Sequence, residues 1–294
     1  MPNKRFSRIG QRPVSQPLVL GKCHVAVGIG TCPGATVKRM FLQADEIAPQ
    51  RRHSGMDLTE ELKAAAKAEG ADLVGVADLA PFKAEGTPLP PHVLELFTNA
   101  VSVAVQLSDH IIDGIEQAPT PVYAEHYRVV NASLDRIATG LVKWLTSRSY
   151  SACAIPASQV VDELKLMGGI SHKAVARLAG IGWQGKSLLI VSPQYGPRIR
   201  LATLLTNMPL RADKPVKNRC GTCKECAKAC PAAAIKNIRT EDRYPTRDEA
   251  LHFSRCVEQT RRFKAKLGIN AQICGVCVRA CPFGQRRTRL RLAK

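Results

Sequence analysis

Cys220-Gly-Thr-Cys223-Lys-Glu-Cys226-Ala-Lys-Ala-Cys230-Pro231 is the stretch on which the reading of the chain turns, and Cys274-Gly-Val-Cys277-Val-Arg-Ala-Cys281-Pro282 answers it near the end. The first run has the spacing C-x2-C-x2-C-x3-C-P, in which three thiolates cap one face of a cubane iron-sulfur cluster while the fourth reaches a different cluster. The second run is one cysteine short. Cys256, eighteen residues upstream of Cys274, is the thiol positioned to complete it. Eight ligands then make two 4Fe-4S clusters.

Following the crossed pattern of two-cluster ferredoxins, Cys220, Cys223, Cys226 and Cys281 would hold one cluster, and Cys230, Cys256, Cys274 and Cys277 the other. Two other uses of cysteine fit less well. Closely spaced C-x2-C pairs in a chain without a secretory signal read as metal sites rather than as a disulfide scaffold. A zinc ribbon needs two C-x2-C pairs and gains nothing from a further cysteine three residues on, or from the Cys-Pro that ends both runs.

The chain has 294 residues, of which 45% are hydrophobic, enough to bury a full core. No apolar run approaches the roughly 18 residues that span a bilayer, so the sequence predicts a soluble protein with no membrane contact. Eleven clustered cysteines imply a reducing interior, the cytoplasm. The formal charge of +19 favours an anionic partner, with RNA, DNA and acidic redox proteins all open.

Residues 1–55 form a basic lead. Lys4, Arg5, Arg8, Arg12, Lys22, Lys38, Arg39, Arg51 and Arg52 face only Asp45 and Glu46, without helical or strand period. The lead reads as disordered or as an upstream extension of the reading frame with Met56 as initiator; a transit peptide is the alternative. Its Val25-to-Gly34 glycine run departs from a dinucleotide fingerprint in spacing and lacks the following acid. Cys23 and Cys32 fit no ligand pattern.

From Met56 the character changes. Asp57 and Glu60 make a capping box for a helix whose apolar stripe is Leu58, Leu62, Ala65 and Ala66, stopping at Gly70. Residues 71–77, 100–107, 150–155, 187–191 and 197–205 read as strands. The stretch from Tyr123 to Arg148 reads as a long amphipathic helix with Leu134, Ile137, Leu141, Trp144 and Leu145 on one side. The expected fold is α/β, with helices on a mixed sheet in residues 56–213, followed by a ferredoxin-like domain with the two clusters in 214–294.

Gly180-Ile-Gly-Trp-Gln-Gly185-Lys186-Ser187 satisfies the Walker A pattern literally. The order around it is helix, loop, strand, whereas a phosphate loop follows a strand and opens a helix, so nucleoside triphosphate binding is set aside. The glycines instead let backbone approach a large flat ligand or another element closely. His172, in the first turn of the preceding helix, reads as a surface residue rather than as a ligand or base.

Ala179-Gly-Ile-Gly-Trp-Gln-Gly-Lys-Ser-Leu-Leu-Ile190, Pro193-Gln-Tyr-Gly196, Leu204-Leu-Thr-Asn-Met-Pro-Leu210 and the cysteine layout with its isolated Cys256 together make the chain resemble the epoxyqueuosine reductase family. The resemblance implies a cobalamin-dependent iron-sulfur enzyme completing queuosine in tRNA. In that family a corrinoid without a protein ligand to its cobalt lies over the α/β domain. An external electron donor feeds it through the clusters, and reduced cobalt attacks the epoxide while an Asp protonates the leaving oxygen. Carried over, the corrinoid contacts would come from Gly180, Gly182, Trp183, Gly185 and Lys186. Val161-Asp162 is the nearest match to the acid's segment, so Asp162 is the candidate catalytic acid; Glu163 and a plain helix-cap role are the alternatives. Two features depart from the family. Tyr123-Ala-Glu-His-Tyr127 stands where an Asp-Tyr-His element is expected, and the sequence ends shortly after the second cysteine run, at a basic segment from Arg286, where the tRNA-acting enzymes carry a further segment. The resemblance therefore bears on the chemistry more than on the substrate. An electron-transfer module reducing a partner protein and a regulatory iron-sulfur protein on nucleic acid are the competing readings.

Overall fold

The computed structural model describes residues 57–163 and 165–285, all of which belong to one compact unit. The lead with its glycine run, Cys23 and Cys32, the initiator candidate Met56 and the segment from Arg286 lie outside the described residues. In chain order the elements are α1 (Leu58–Ala68), β1 (Leu73–Asp78), α2 (Ala80–Glu85), α3 (Pro91–Leu94), β2 (Asn99–Gln106), α4 (Asp109–Asp113), α5 (Pro121–Thr146) and β3 (Ala152–Ile155). They continue with α6 (His172–Leu178), β4 (Trp183–Gln184), β5 (Ile190–Val191), β6 (Ile199–Thr206), α7 (Glu225–Lys228), α8 (Arg247–Ala250), α9 (Phe253–Leu267) and α10 (Val276–Ala280). No described helix is long and apolar enough to cross a membrane.

Asp57 caps α1 as expected, its carboxylate accepting the Thr59 N–H at 3.0 Å. Glu60 does not close the capping box; its carboxylate faces the cationic ends of Lys63 and Arg211, which offer it a charged partner. Strand order is β1-β2-β6-β3, and the helices cover the sheet as the sequence predicts. The pairing is antiparallel throughout rather than mixed. Asp78 lies opposite Asn99, so α2 and α3 return the chain at the end it left, where a parallel neighbour would need a crossover to the far end.

Side chains alternate across the strands and divide the core in two. Val101, Val103, Ala202 and Leu204 pack with Leu62 and Ala66 of α1 and with Leu134, Ile137, Leu141 and Leu145 of α5. Ala100, Ala104, Leu201 and Leu205 meet Val175, Ala176 and Ala179 at α6 on the other side. Leu134, Leu141 and Leu145 are wholly buried, each contributing about 1.5–3 kcal/mol. Gly75 makes the second contact possible, because a Cβ there would stand 2.1 Å from the Ala179 carbonyl oxygen.

The last described segment is drawn into the first core. Ile269, Ile273, Val276 and Val278 join the α5 cluster. Gly275 sits at φ +85°, where a Cβ would come within 2.6 Å of Ile115 and 2.8 Å of the Tyr123 ring, so the second cysteine run lies hard against α5.

Candidate redox site

Two groups of four thiols are separated by the way the chain doubles back. The outer group is Cys220, Cys223, Cys226 and Cys281, which line a small cavity together with Gly185, Lys186, Ser187, Val191, Pro282 and Phe283. The β4–β5 hairpin is its platform. Gly182 and Gly185 let the hairpin close on itself, since Cβ atoms there would stand 2.4 Å from the Val191 carbonyl oxygen and 2.8 Å from its side chain. Trp183, fully buried, donates its indole N–H to Cys220 Sγ at 3.4 Å and meets Phe283 edge-on at 4.9 Å. The buried Lys186 ammonium donates to the Cys223 carbonyl at 2.8 Å and to Asn237 Oδ1 at 3.1 Å.

The inner group is Cys230, Cys256, Cys274 and Cys277. Burial pushes the Cys277 thiol well up, and the charges of Cys274, Cys256, Cys226 and Cys230 add to it. Cys274 is pushed up to about 11 by burial, with Cys256 and Cys230 acting the same way against the Val276 N–H. In the outer group burial raises Cys226 and Cys281 to about 11. Such thiols ionise when a bound metal takes their protons' place, which suits them to thiolate ligation. The Ala234 N–H donates to Cys230 Sγ at 3.3 Å, the kind of bond that stabilises a thiolate. Among the described residues no three His, Cys, Asp or Glu side chains converge on a point fit for a single metal ion. Four thiols that each serve a separate iron of a cubane stand further apart than ligands sharing one ion.

A cavity of about 590 Å³ opens beside the inner group. Phe253, on the first turn of α9 and three residues before Cys256, forms part of its wall; Leu189 and Ile190 form another part, with residues 166–174 opposite. Its rim is cationic. Arg200 donates from Nε to Asn131 Oδ1 at 2.9 Å and stacks on the Tyr127 ring at 4.2 Å, and Arg247 donates to the Lys165 and Leu166 carbonyls at 2.7 and 3.0 Å. Glu85 is already engaged by Arg243 through two 2.7 Å bonds. Lys173, half-buried in the wall, has no ion-pair partner among the described residues. Burial lowers its ammonium to about 8, helped by Arg247 and Arg200 and opposed by Cys256.

His172 also lines the cavity and is half-buried, which corrects its reading as a surface residue. Its ring nitrogens face Thr203 Oγ1 at 2.8 Å and the Pro156 carbonyl at 3.0 Å, so neither is free to ligate. Burial lowers its pKa, with the Pro156 carbonyl opposing. The loop residues expected to contact a corrinoid lie elsewhere. Gly180, at φ +69° and against the Lys214 carbonyl, and Gly182, Trp183, Gly185 and Lys186 are not part of the cavity wall, and the last three pack on or beside the outer thiols. The reason is the hairpin: it turns Trp183 toward Cys220 and leaves Leu189 and Ile190 to face the cavity.

Asp162 is likewise not in the wall. Its carboxylate accepts the Lys165 N–H at 2.9 Å and its backbone bridges Met167, closing a turn in the loop before α6. Neighbours Gln159, Leu166, Met167 and Gly168 on that loop do reach the cavity, while the adjoining Glu163 is exposed. Reading the sequence missed Tyr127, Lys173 and Arg200. Burial raises the Tyr127 phenol, and the Arg200 guanidinium with Ser158 and Asn131 outweighs it, leaving the pKa below its ordinary value. The one available signal was that Tyr127 ends the Tyr-Ala-Glu-His-Tyr departure; His126 there serves structure, its Nε2 accepting the Ser108 N–H at 2.9 Å.

Residues 219–284 match the family described as the 4Fe-4S double cluster binding domain, and the protein carries two such clusters. The chain is 33% identical over 126 residues to the epoxyqueuosine reductase of Bacillus subtilis (strain 168), covering 40% of this chain and 30% of that protein. It is 29% identical over 262 residues to the tetrachloroethene reductive dehalogenase of Sulfurospirillum multivorans, covering 78% of this chain and 50% of that one. It thus spans half or less of these curated relatives. Among solved structures, a reductive dehalogenase described as suggesting a mechanism for B12-dependent dehalogenation superposes with a TM-score of 0.59 at 19% identity, over 80% of this chain and 33% of the other. An epoxyqueuosine reductase bound to a modified tRNA-Tyr stem loop superposes with a TM-score of 0.53 at 23% identity, over 78% and 66%. The fold is therefore common to both groups, and over parts of its length the chain is similar in sequence to epoxyqueuosine reductases and to a reductive dehalogenase.

Proposed function

We propose that this protein is a cytoplasmic, corrinoid-dependent iron-sulfur reductase that acts on the epoxide of a queuosine precursor in tRNA. In this reading residues 56–213 hold the corrinoid, and 214–294 hold the clusters on the two thiol groups. An external donor supplies the electrons. The observation that carries it is a cationic cavity of about 590 Å³ standing directly beside one of two thiol groups. Support comes from the B12-dependent dehalogenase and the tRNA-bound reductase that share the fold, and from the charge of +19, which suits a polyanion.

The residues present fit a corrinoid. Leu189, Ile190, Ile199 and Leu201 would supply an apolar wall, and the cations of the rim would suit its anionic phosphate. When bound, the corrinoid would supply a strongly reducing metal nucleophile. This chain's residues exclude water, orient the substrate and deliver a proton. Lys173 stands in the wall and is the candidate proton donor there, with Asp162, on the loop that brings Gln159 and Met167 to the cavity, as the alternative.

The test is anaerobic titration of cluster-loaded protein with cobalamin, followed by conversion of a modified tRNA stem loop. A base-off corrinoid spectrum with one equivalent bound and loss of the epoxide are expected. Full cluster content without corrinoid binding would refute the proposal and leave an electron-transfer protein.

A further inference from the structure

The two thiol groups stand in series with the cavity. Cys256 shares the first turns of α9 with Phe253, a cavity residue, whereas the outer group's small cavity has no wall residue in common with the large one. Electrons that end at the large cavity therefore enter most directly at the outer group. The protein surface over that group has a definite character. Two segments, 217–224 and 236–241, are stapled side by side there. Lys186 joins Cys223 to Asn237, and Asn218 donates to the Gln184 and Thr240 carbonyls at 3.0 and 2.8 Å while accepting the Cys220 N–H.

The cover over the thiols is thin. Gly221 lies at φ +49° with nothing within 4 Å of the place a Cβ would occupy, and Thr222 is exposed. Exposed Lys217, Arg219 and Lys224 surround this spot, and none has a carboxylate partner among the described residues. The nearby acids are neutralised: Glu225 pairs with Lys228, Glu241 with Arg239, and Asp242 with Arg177. Among the cations lies one large apolar side chain, Ile238, 49% exposed.

We infer that this surface, Ile238 flanked by Lys217, Arg219 and Lys224 over Cys223, is the docking site of an acidic one-electron carrier protein of the flavodoxin or ferredoxin class. The inference rests on the proposed reading of the thiols as cluster ligands and deepens it by assigning the point of electron entry. One electron leaves the reduced carrier, which becomes oxidised, and is taken up at the outer group; no proton or chemical group is transferred. Redox encounters are small and transient, so a short apolar contact inside a charged ring is the expected anatomy. Opposite charge accelerates such encounters by about 10- to 1000-fold and makes them salt-sensitive. A phosphate backbone would use the cations and leave Ile238 without purpose, so a protein is the better fit. The other exposed basic stretch, Arg261, Arg262, Lys264 and Lys266 on α9, follows the inner group and is the natural control.

The experiment compares full-length, cluster-loaded protein with two charge-reversed variants, Lys217→Glu/Arg219→Glu/Lys224→Glu and Arg261→Glu/Lys264→Glu, and with Ile238→Ser. Binding of an oxidised acidic flavodoxin is measured by calorimetry, and cluster bleaching by the photoreduced flavodoxin by stopped flow, at low and high salt. The first variant should weaken binding and slow bleaching by about tenfold or more, and Ile238→Ser by less. Iron content and bleaching by dithionite should stay as in wild type, and the α9 variant should bind and bleach normally. Normal flavodoxin kinetics in the first variant, or slow kinetics only in the α9 variant, would overturn the docking surface. So would loss of tRNA stem-loop binding with normal flavodoxin kinetics, which would assign the ring to nucleic acid. Wild-type protein that takes up no iron would overturn the cluster reading itself, a result read separately from all of these.

Discussion

The outer and inner thiol groups have the same ligand type and opposite surroundings. The outer group lies under a thin, basic surface and takes an indole N–H from Trp183. The inner group is pressed against the α5 core by Gly275, Val276 and Val278 and shares α9 with the cavity wall. Solvent access and hydrogen bonds to sulfur both tune the potential of such clusters. In the proposed reading one chain builds an entry and an exit for electrons from nearly identical motifs, by what each is packed against.

The comparison breaks most severely at Cys256. Its replacement by Ala should cut iron from about eight to about four per chain, sparing the outer cluster, and should abolish turnover, because the exit is gone while the entry remains. Iron and sulfide analysis with electron paramagnetic resonance checks this; full iron would show that Cys256 is no ligand. Next in size is the proton donor at the exit. Asp162→Asn and Lys173→Met are each measured for single-turnover epoxide reduction with corrinoid loaded. The variant that loses about 10²–10⁴-fold while keeping corrinoid and tRNA binding marks the acid. Equal and full activity in both would leave solvent as the donor.

A smaller effect is expected at the entry. Trp183→Phe removes the N–H donor to Cys220, so the more negative reduced state loses stabilisation and the outer potential should fall, with the inner one unchanged. Redox titration followed by electron paramagnetic resonance separates the two; a shift confined to the inner signal would reverse their placement. The smallest effect is a pH dependence at His172. Its pKa is lowered by burial from the ordinary 6.5, so below 6.5 the unfolded chain binds a proton that the folded one refuses. Stability contributed there is complete above 6.5 and falls as pH drops toward the folded value. His172→Gln should flatten that slope in denaturant titrations at pH 5 to 7, and an unchanged slope would assign it to other groups.

Much of the body was legible from the sequence because its signals are local. Asp57 before an apolar stripe, Ser171 before α6 and the short, mostly apolar runs of β2 and β6 each declare an element within a few residues. The helix–loop–strand order around Gly180 also held, and with it the exclusion of a phosphate loop. The site was legible only in part. Of the residues expected at a corrinoid, Trp183, Gly185 and Lys186 lie on or beside the outer thiols; Tyr127, Lys173 and Arg200 went unnoticed because they come from three distant segments and have no mutual spacing.

By itself the sequence determined the chemistry of the ligands, since thiol spacing is set by covalent geometry over three or four residues and reads the same in any fold. It determined the buried central strands too, because the near-continuous apolar runs of β2 and β6 suit strands covered on both faces. Tertiary structure alone decided the antiparallel pairing, the direction the β4–β5 hairpin faces, and which thiol group meets the cavity. These depend on close approaches between residues far apart in the chain, such as Gly75 on Ala179 and Gly275 on Tyr123, where the absence of a side chain sets the distance at which two surfaces meet.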